Sequence, residues 1–262
     1  MNPSASSTVI DILAIAAHRD DVEQTCGGTL LKAAERGQKT AILDLTRGEM
    51  GSRGTAEDRA REAAEAAKIL RVAWRGALDI PDTRVDNTYE NRVKIARVIR
   101  MLHPKVVILP YWEARHPDHA KTSPLGYEAC FVAGLTKLDL SAVAAESLSI
   151  QHSAVSIQSA DSPYRPFKIV YASLYAEVRP TFVVDVTEQF ETRLKSLLAY
   201  RSQYAQQQQG SELFVPEKEI RTRLETMARF YGMLAGVEFA EPFVQKEVGL
   251  VEDVTALPVQ SI

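Results

Sequence analysis

The chain has 262 residues, of which 45% are hydrophobic and 25% charged, with a formal net charge of −3. Such a balance suits a folded globular protein and excludes collagen-like, wholly disordered and disulfide-scaffold classes. It also gives no positive field with which to hold nucleic acid or an anionic membrane.

Val9–Ala17 (VIDILAIAA) reads as a buried strand. Gly27-Gly28 then leads into helical composition over Thr29–Arg36. A second strand falls within Gln38–Thr46, and Arg47–Thr55 is a glycine-rich loop. Thr55, with Asp58 three residues on, predicts a helix cap and a helix from about Ala56 to Leu70. A short strand is expected near Val72–Leu78, a helix over Asn91–Leu102, a third clear strand at Val106–Pro110 and a helix from near Asp118 to Ala133. Leu138–Ser162 has weak periodicity and reads as a long excursion. Ile169–Tyr175 and Thr181–Val186 read as strands, Glu188–Tyr204 and Lys218–Gly232 as helices, and Gln206–Gln209 as a loop tip.

Alternating strands and helices predict an α/β fold: a Rossmann-like, mostly parallel sheet with helices on both faces. One domain, 1–262, is expected, with the core at 8–135 and a C-terminal strand and helix extension at 136–262. Cys26 and Cys130 are too few for a disulfide framework and read as buried, reduced thiols. Met1–Thr8 lacks a basic n-region, and no apolar run reaches the roughly 18–20 residues that span a bilayer, so the expected location is cytoplasmic.

Histidine is scarce, yet it clusters. His18-Arg19-Asp20-Asp21 directly follows the first strand, and Arg115-His116-Pro117-Asp118-His119 follows Val106–Pro110. Open α/β sheets bind ligands beyond the carboxyl ends of strands, where strand order reverses. Both clusters would then face one crevice. His18, Asp21 and His119 make a two-histidine, one-carboxylate set suited to zinc or another divalent transition metal with an open position. Asp20 adjoins that set and is placed to act as general base toward a water activated there. His103 sits at a helix end, where a role at the helix dipole is expected. His152 reads as solvated. A two-metal phosphoesterase would need further bridging carboxylates, and a non-catalytic nucleotide-binding module would need a glycine fingerprint. Neither is evident.

AHRDDVEQTCGGTL followed by RHPDH resembles the signature of the PIG-L/LmbE-like zinc-dependent N-acetylglucosamine deacetylases. LDLTRGEMGSRGT, LDIPD, SPYRP, FVVDVT, LLAYRSQY and GVEFAEPF extend the likeness along the chain. The wording is most similar to the bacillithiol-biosynthesis branch. The resemblance implies one zinc (iron(II) or cobalt being chemically possible) on His18, Asp21 and His119, with Asp20 as base. It implies that His116 stabilises the oxyanion and protonates the leaving amine, oriented by Asp118. Arg53 matches a sugar-binding arginine, and Arg165 a basic residue that some relatives bring from a neighbouring subunit. The implied substrate is N-acetylglucosaminyl malate, with other N-acetylglucosaminides or bacillithiol conjugates as the alternative. The implied assembly is a homo-oligomer, trimer or hexamer.

Arg19 departs from the pattern, which has proline there. Two readings stay open: contact with an anionic group of the substrate, or a side chain pointing to solvent. A site tyrosine near Ile220 is also missing, and Tyr200 and Tyr204 are possible substitutes, although each more often serves as a core aromatic.

Overall fold

The structure, a computed structural model, describes residues 10–140, 147–173, 177–204 and 217–259. Strands β1 (Ile12–Ala16), β2 (Thr40–Asp44), β3 (Trp74–Leu78) and β4 (Val106–Pro110) are joined by helices α1 (Asp21–Thr25), α2 (Gly27–Glu35), α3 (Ala56–Ile69) and α4 (Tyr89–Leu102). Helix α5 (Pro117–Ala133) follows β4. The later elements are β5 (Leu148–Ser153), β6 (Lys168–Ala172), β7 (Phe182–Asp185), α6 (Phe190–Leu198), α7 (Arg201–Tyr204), α8 (Glu217–Ala235) and β8 (Ala240–Val244).

All strands join one sheet in the order β5-β3-β2-β1-β4-β6-β8-β7. Pairings among β3, β2, β1, β4 and β6 are parallel, while β5 and β8 run antiparallel to their neighbours. The sheet is therefore mixed and mostly parallel. Along β1 the side chains alternate between two cores, as the period of two requires. Leu13 and Ile15 pack with α4 and α5 residues such as Ile95, Ile99, Leu125 and Ala129. Ala14 and Ala16 pack with Val22, Leu30, Leu31, Ala67 and Leu70 on the other face. Burial on both faces explains why β1, β2 and β4 read as continuous apolar runs rather than alternating ones.

The Thr55 cap forms as expected, with the Asp58 side chain closing a capping box. Two expectations are corrected and one strand is new. The segment Leu138–Ser162 is not all excursion, because Leu148–Ser153 forms edge strand β5 against β3. The helix expected over Glu188–Tyr204 is broken at Ala199–Tyr200 into α6 and α7. Strand β8 had no sequence reading at all, because Pro242 removes a ladder donor. Its pairing with β6 spans only Phe243 and Val244 and leaves Pro242 out. The Gln206–Gln209 tip lies outside the described residues.

His103 caps α4 in a left-handed conformation and stacks on Tyr164, with ring centroids 4.3 Å apart. Burial lowers its pKa. That opposes the charged dipole role expected of it. Among the described residues, no helix is long and apolar enough to cross a membrane.

Candidate metal centre

Strand order reverses between β1 and β4, which lie side by side. The loop after β1 and the start of α5 therefore share one crevice, and the two histidine clusters meet there. His18 Nδ1 and His119 Nε2 are 3.1 Å apart. The Asp21 carboxylate lies 3.5 Å from His18 Nδ1 and 3.2 Å from His119 Nε2. A tetrahedral zinc with bonds of about 2.0–2.1 Å needs donors about 3.3–3.4 Å apart. The three separations bracket that value, so the donor set fits a single small divalent ion in both chemistry and spacing. His116 also brings a ring nitrogen within reach of His18 and His119.

Further carboxylates fix the imidazoles. Asp82 Oδ1 lies 3.1 Å from His18 Nε2, and Asp118 Oδ2 is 3.5 Å from the same atom. These contacts hold the Nε2 side of the His18 ring between Asp82 and Asp118 and turn Nδ1 toward the cluster. A carboxylate behind a metal-binding histidine does this generally. Burial alone would lower the pKa of His18, but Asp118, Asp21 and Asp82 outweigh it and push it up to about 12. Burial would raise Asp21, yet His119 and His18 hold it well below the usual carboxylate range. Asp118 Oδ1 is buried without a hydrogen-bond partner. So much negative charge around two imidazoles is the electrostatics of a cation site.

Asp20 has a backbone φ of 107°, which costs a non-glycine residue about 1–3 kcal/mol and is held here by its surroundings. Arg59 Nη2 donates to the Arg19 carbonyl at 2.7 Å and to Asp20 Oδ1 at 3.2 Å. Tyr204 donates its hydroxyl to Asp20 Oδ2 at 2.6 Å. Burial, reinforced by Asp21 and Glu23, raises the Asp20 pKa to about 6 against the opposing pull of Arg59 and Tyr204. At Gly48 (φ +68°) a Cβ would collide with the Arg59 guanidinium, so the glycine makes room for this clamp.

His116 is the exposed N-cap of α5, and its Nδ1 accepts from the Asp118 backbone N–H at 3.2 Å. The orienting contact therefore comes from the Asp118 main chain. The Asp118 carboxylate instead faces His18 and accepts from Thr83 N at 2.9 Å. Burial, then His18 and His119, lower the His116 pKa, and the smaller pull of Asp118 does not reverse this.

Arg19 answers neither reading. It is 2% exposed, and its Nη1 donates to the Ala56 carbonyl at 2.6 Å, which ties the base loop to the first turn of α3. It is not placed to bind substrate. Arg53 Nη1 donates to the Gln203 carbonyl at 3.3 Å, next along the chain from Tyr204. Arg165 lies over the Phe131 ring, 4.4 Å from its centroid, near the C-terminal end of α5. At about 1.5 Å per residue this is roughly 18 Å along the helix from His119, so Arg165 does not reach the site of its own chain. Asp82 and Arg59 had no sequence assignment. Asp82 stood within the quoted LDIPD motif, but nothing local marks it as a partner of His18.

Beneath the site, Arg75 joins Asp44 (2.9 Å) and Glu23 (2.5 Å), all with fully buried side chains, and Tyr200 donates to Glu23 at 3.2 Å. Glu23 thus anchors α1 through a buried ion pair. Glu241 on β8 accepts from Gly28 N (2.8 Å), Thr29 N (2.7 Å) and Thr29 Oγ1 (2.6 Å) at the start of α2. A Cβ on residue 28 would lie 2.8 Å from Glu241 Oε1, which explains the glycine.

An open α/β sheet with two histidines, a carboxylate and a tuned second carboxylate at its switch point defines the class of metal-assisted hydrolases. Comparison with known proteins narrows this. The profile described as "PIG-L: GlcNAc-PI de-N-acetylase" matches residues 13–130. Diacetylchitobiose deacetylase of Thermococcus kodakarensis is 31% identical over 240 residues, covering 88% of this chain and 80% of that protein. The crystal structure of the conserved protein TT1542 from Thermus thermophilus is similar, with 36% identity and a TM-score of 0.77, over 93% of this chain and 98% of the other. The inhibitor complex of N,N'-diacetylchitobiose deacetylase from Pyrococcus horikoshii matches with 25% identity and a TM-score of 0.73, over 91% and 84%. The chain belongs to the PIG-L family of deacetylases, hydrolases of an amide C–N bond.

Proposed function

We propose that this chain is a zinc-dependent N-deacetylase that cleaves the acetamide of an N-acetylglucosaminide to acetate and a free amine. The observation that carries this is the convergence of His18, Asp21 and His119 at metal-ligand spacing, with Asp20 next to them at a pKa of about 6. His18 Nδ1, His119 Nε2 and the Asp21 carboxylate would hold one ion per chain. When bound, zinc supplies a Lewis acid that polarises the amide carbonyl and acidifies water at the site. The same donors can hold iron(II) or cobalt.

Asp20 accepts the proton of the attacking water. Arg59 and Tyr204 keep its carboxylate aimed while its backbone is strained. His116 accepts the Asp118 N–H at Nδ1, so its proton sits on Nε2. From there it donates to the developing oxyanion, and the proton that Asp20 has taken from the water is passed to the departing nitrogen. Asp118 positions both imidazoles, one by its main chain and one by its carboxylate. Arg53, held at the rim by Gln203, presents a fork of donors suited to sugar hydroxyls or a carboxylate.

N-acetylglucosaminyl malate is the first substrate to test, because the motif wording is most similar to that branch. Diacetylchitobiose is the second, because both named deacetylases above act on it. A homo-oligomer, trimer or hexamer, belongs to the same reading. It is supported by exposed apolar residues on α5, just before β6 and beyond β8: Phe131 (55%), Phe167 (83%), Val248 (98%) and Leu250 (95%). Monomers rarely leave such patches bare. Light scattering checks the assembly.

The test counts zinc per chain and follows amine release from both substrates for wild type and Asp20→Ala. One zinc per chain, release by wild type, and loss of release with zinc retained in the variant is the expected result. A wild type that holds no metal overturns the reading.

A further inference from the structure

Helix α7 is a single turn, and two adjacent residues in it reach different parts of the site. Tyr204 donates its hydroxyl to Asp20 Oδ2 at 2.6 Å. Gln203 faces Arg53 instead. Its Nε2 donates to the Arg53 carbonyl at 2.8 Å, and its own carbonyl accepts from Arg53 Nη1 at 3.3 Å. One residue is thus held to Arg53 by side chain and by main chain. Arg53 and Asp20 themselves stand on different loops, one after β2 and one after β1.

Helix α3 is the common footing. Arg59 and Glu62 are three residues apart, so they share one face of that helix. Arg59 Nη2 donates to Asp20 Oδ1, while Glu62 accepts from Ser202 N and Ser202 Oγ, both at 2.7 Å. Tyr200 packs on Ala63 and Ala66 of the same helix, with Tyr204 beside them. Gln203 Nε2 also donates to Ser202 Oγ at 3.0 Å, so the Glu62 anchor and the Arg53 contact form one connected network. At Gly54 (φ +66°) a Cβ would lie 2.6 Å from Ser202 Cβ, so the loop that carries Arg53 runs directly against the turn. The two ends of the network differ. The Tyr204 contact has the length of a hydroxyl on a charged carboxylate. The Arg53 Nη1 contact lies beyond the usual range of about 2.7–3.2 Å. A sugar oxygen can therefore take the guanidinium from the Gln203 carbonyl at little cost, while Gln203 Nε2 keeps hold of the loop.

We propose that Gln203 is a positioning residue that couples Arg53, on the sugar side of the site, to Asp20, on the water side, through Tyr204. This rests on the deacetylase reading above, with Arg53 as sugar ligand and Asp20 as base. Gln203 touches neither substrate nor reacting atoms. It sets the turn against the Arg53 loop, and the turn sets the Tyr204 hydroxyl on Asp20. The residue that holds the sugar and the carboxylate that serves its acetamide then share one support, and loosening either end is felt at the other.

The experiment measures kcat and KM on diacetylchitobiose and N-acetylglucosaminyl malate, well below Tm, with zinc content determined for every variant. Arg53→Ala, Tyr204→Phe and the double variant are compared, first with Gln203 and then in Gln203→Ala. Gln203→Ala by itself should lower kcat and raise KM, each by about 2–10-fold, the worth of one or two hydrogen bonds. The Arg53 and Tyr204 effects on kcat/KM should depart from additivity by at least about threefold with Gln203 present, and by less than about twofold without it. Additivity within about twofold in both backgrounds overturns the coupling and leaves the deacetylase standing. Non-additivity that survives Gln203→Ala overturns Gln203 as its carrier. A second readout uses metal-free protein and no substrate. Hydrogen exchange of the peptide spanning residues 201–204 should be about 2–10-fold faster in Gln203→Ala and in Arg53→Ala than in wild type. If wild type cleaves neither substrate, the deacetylase reading fails by itself. Exchange then decides the link, and rates unchanged in both variants overturn it.

Discussion

Replacing Asp82 by asparagine keeps the side-chain volume and removes the charge that faces His18 Nε2 across 3.1 Å. The carboxylate is held below its usual pKa range, because His18 outweighs the opposing effect of burial. It is therefore charged and accepts from the imidazole. Loss of such a partner typically weakens metal binding by about 10–100-fold, or about 1.4–2.8 kcal/mol at 1.4 kcal/mol per decade. The structure places the two variants at different points in that range. An asparagine carbonyl can still accept from Nε2, so Asp82→Asn should lose about 10-fold. Asp82→Ala leaves only Asp118 Oδ2, at 3.5 Å, beyond good hydrogen-bond distance. It should lose about 100-fold. Apo-protein titrated with zinc against a chromophoric chelator measures both. Binding within twofold of wild type for both variants would refute the claim that Asp82 holds the His18 ring for the metal.

Arg75→Met strands Asp44 and Glu23 as unpaired buried carboxylates and should cost about 3–5 kcal/mol, read as a fall in the urea midpoint. Gly28→Ala drives a Cβ to 2.8 Å from Glu241 Oε1 and 3.0 Å from Val186, and should cost about 1–3 kcal/mol in the same assay. Thr55→Ala removes the capping hydroxyl of α3 and should cost about 1 kcal/mol, with site geometry judged unchanged by zinc affinity. Chelation should lower Tm; free zinc at 100 times its Kd stabilises by about 2.7 kcal/mol. An identical Tm with and without chelator would count against a ligand set on His18, Asp21 and His119.

Much of the core was legible because its signals are local. Buried parallel strands are short apolar runs, and β4 falls at Val106–Pro110 as read from VVILP. Helix α3 starts where a Thr–Asp capping box can form, which needs only four consecutive residues. Strand β5 was not legible, because an exposed edge strand carries little hydrophobic pattern. Pro242 hid β8, since the strand is permitted only by where its pairing with β6 stops.

The sequence by itself supplied the candidate donors. His18, Asp21 and His119 stand in two clusters that each follow a strand, and the alternation of strands and helices implied one crevice for both clusters. Only the tertiary structure decided what stands behind them. Asp82 reaches His18 from the loop after β3, Arg59 and Tyr204 clamp Asp20 from α3 and α7, and Arg19 turns inward to Ala56 rather than toward a substrate. Arg165 lands at the far end of α5. The physical reason is that a ligand set advertises itself through residue type and spacing along the chain. Its supporting partners are chosen by proximity in space, and a lone Asp, Arg or Tyr looks the same in sequence whether it faces water or a buried imidazole.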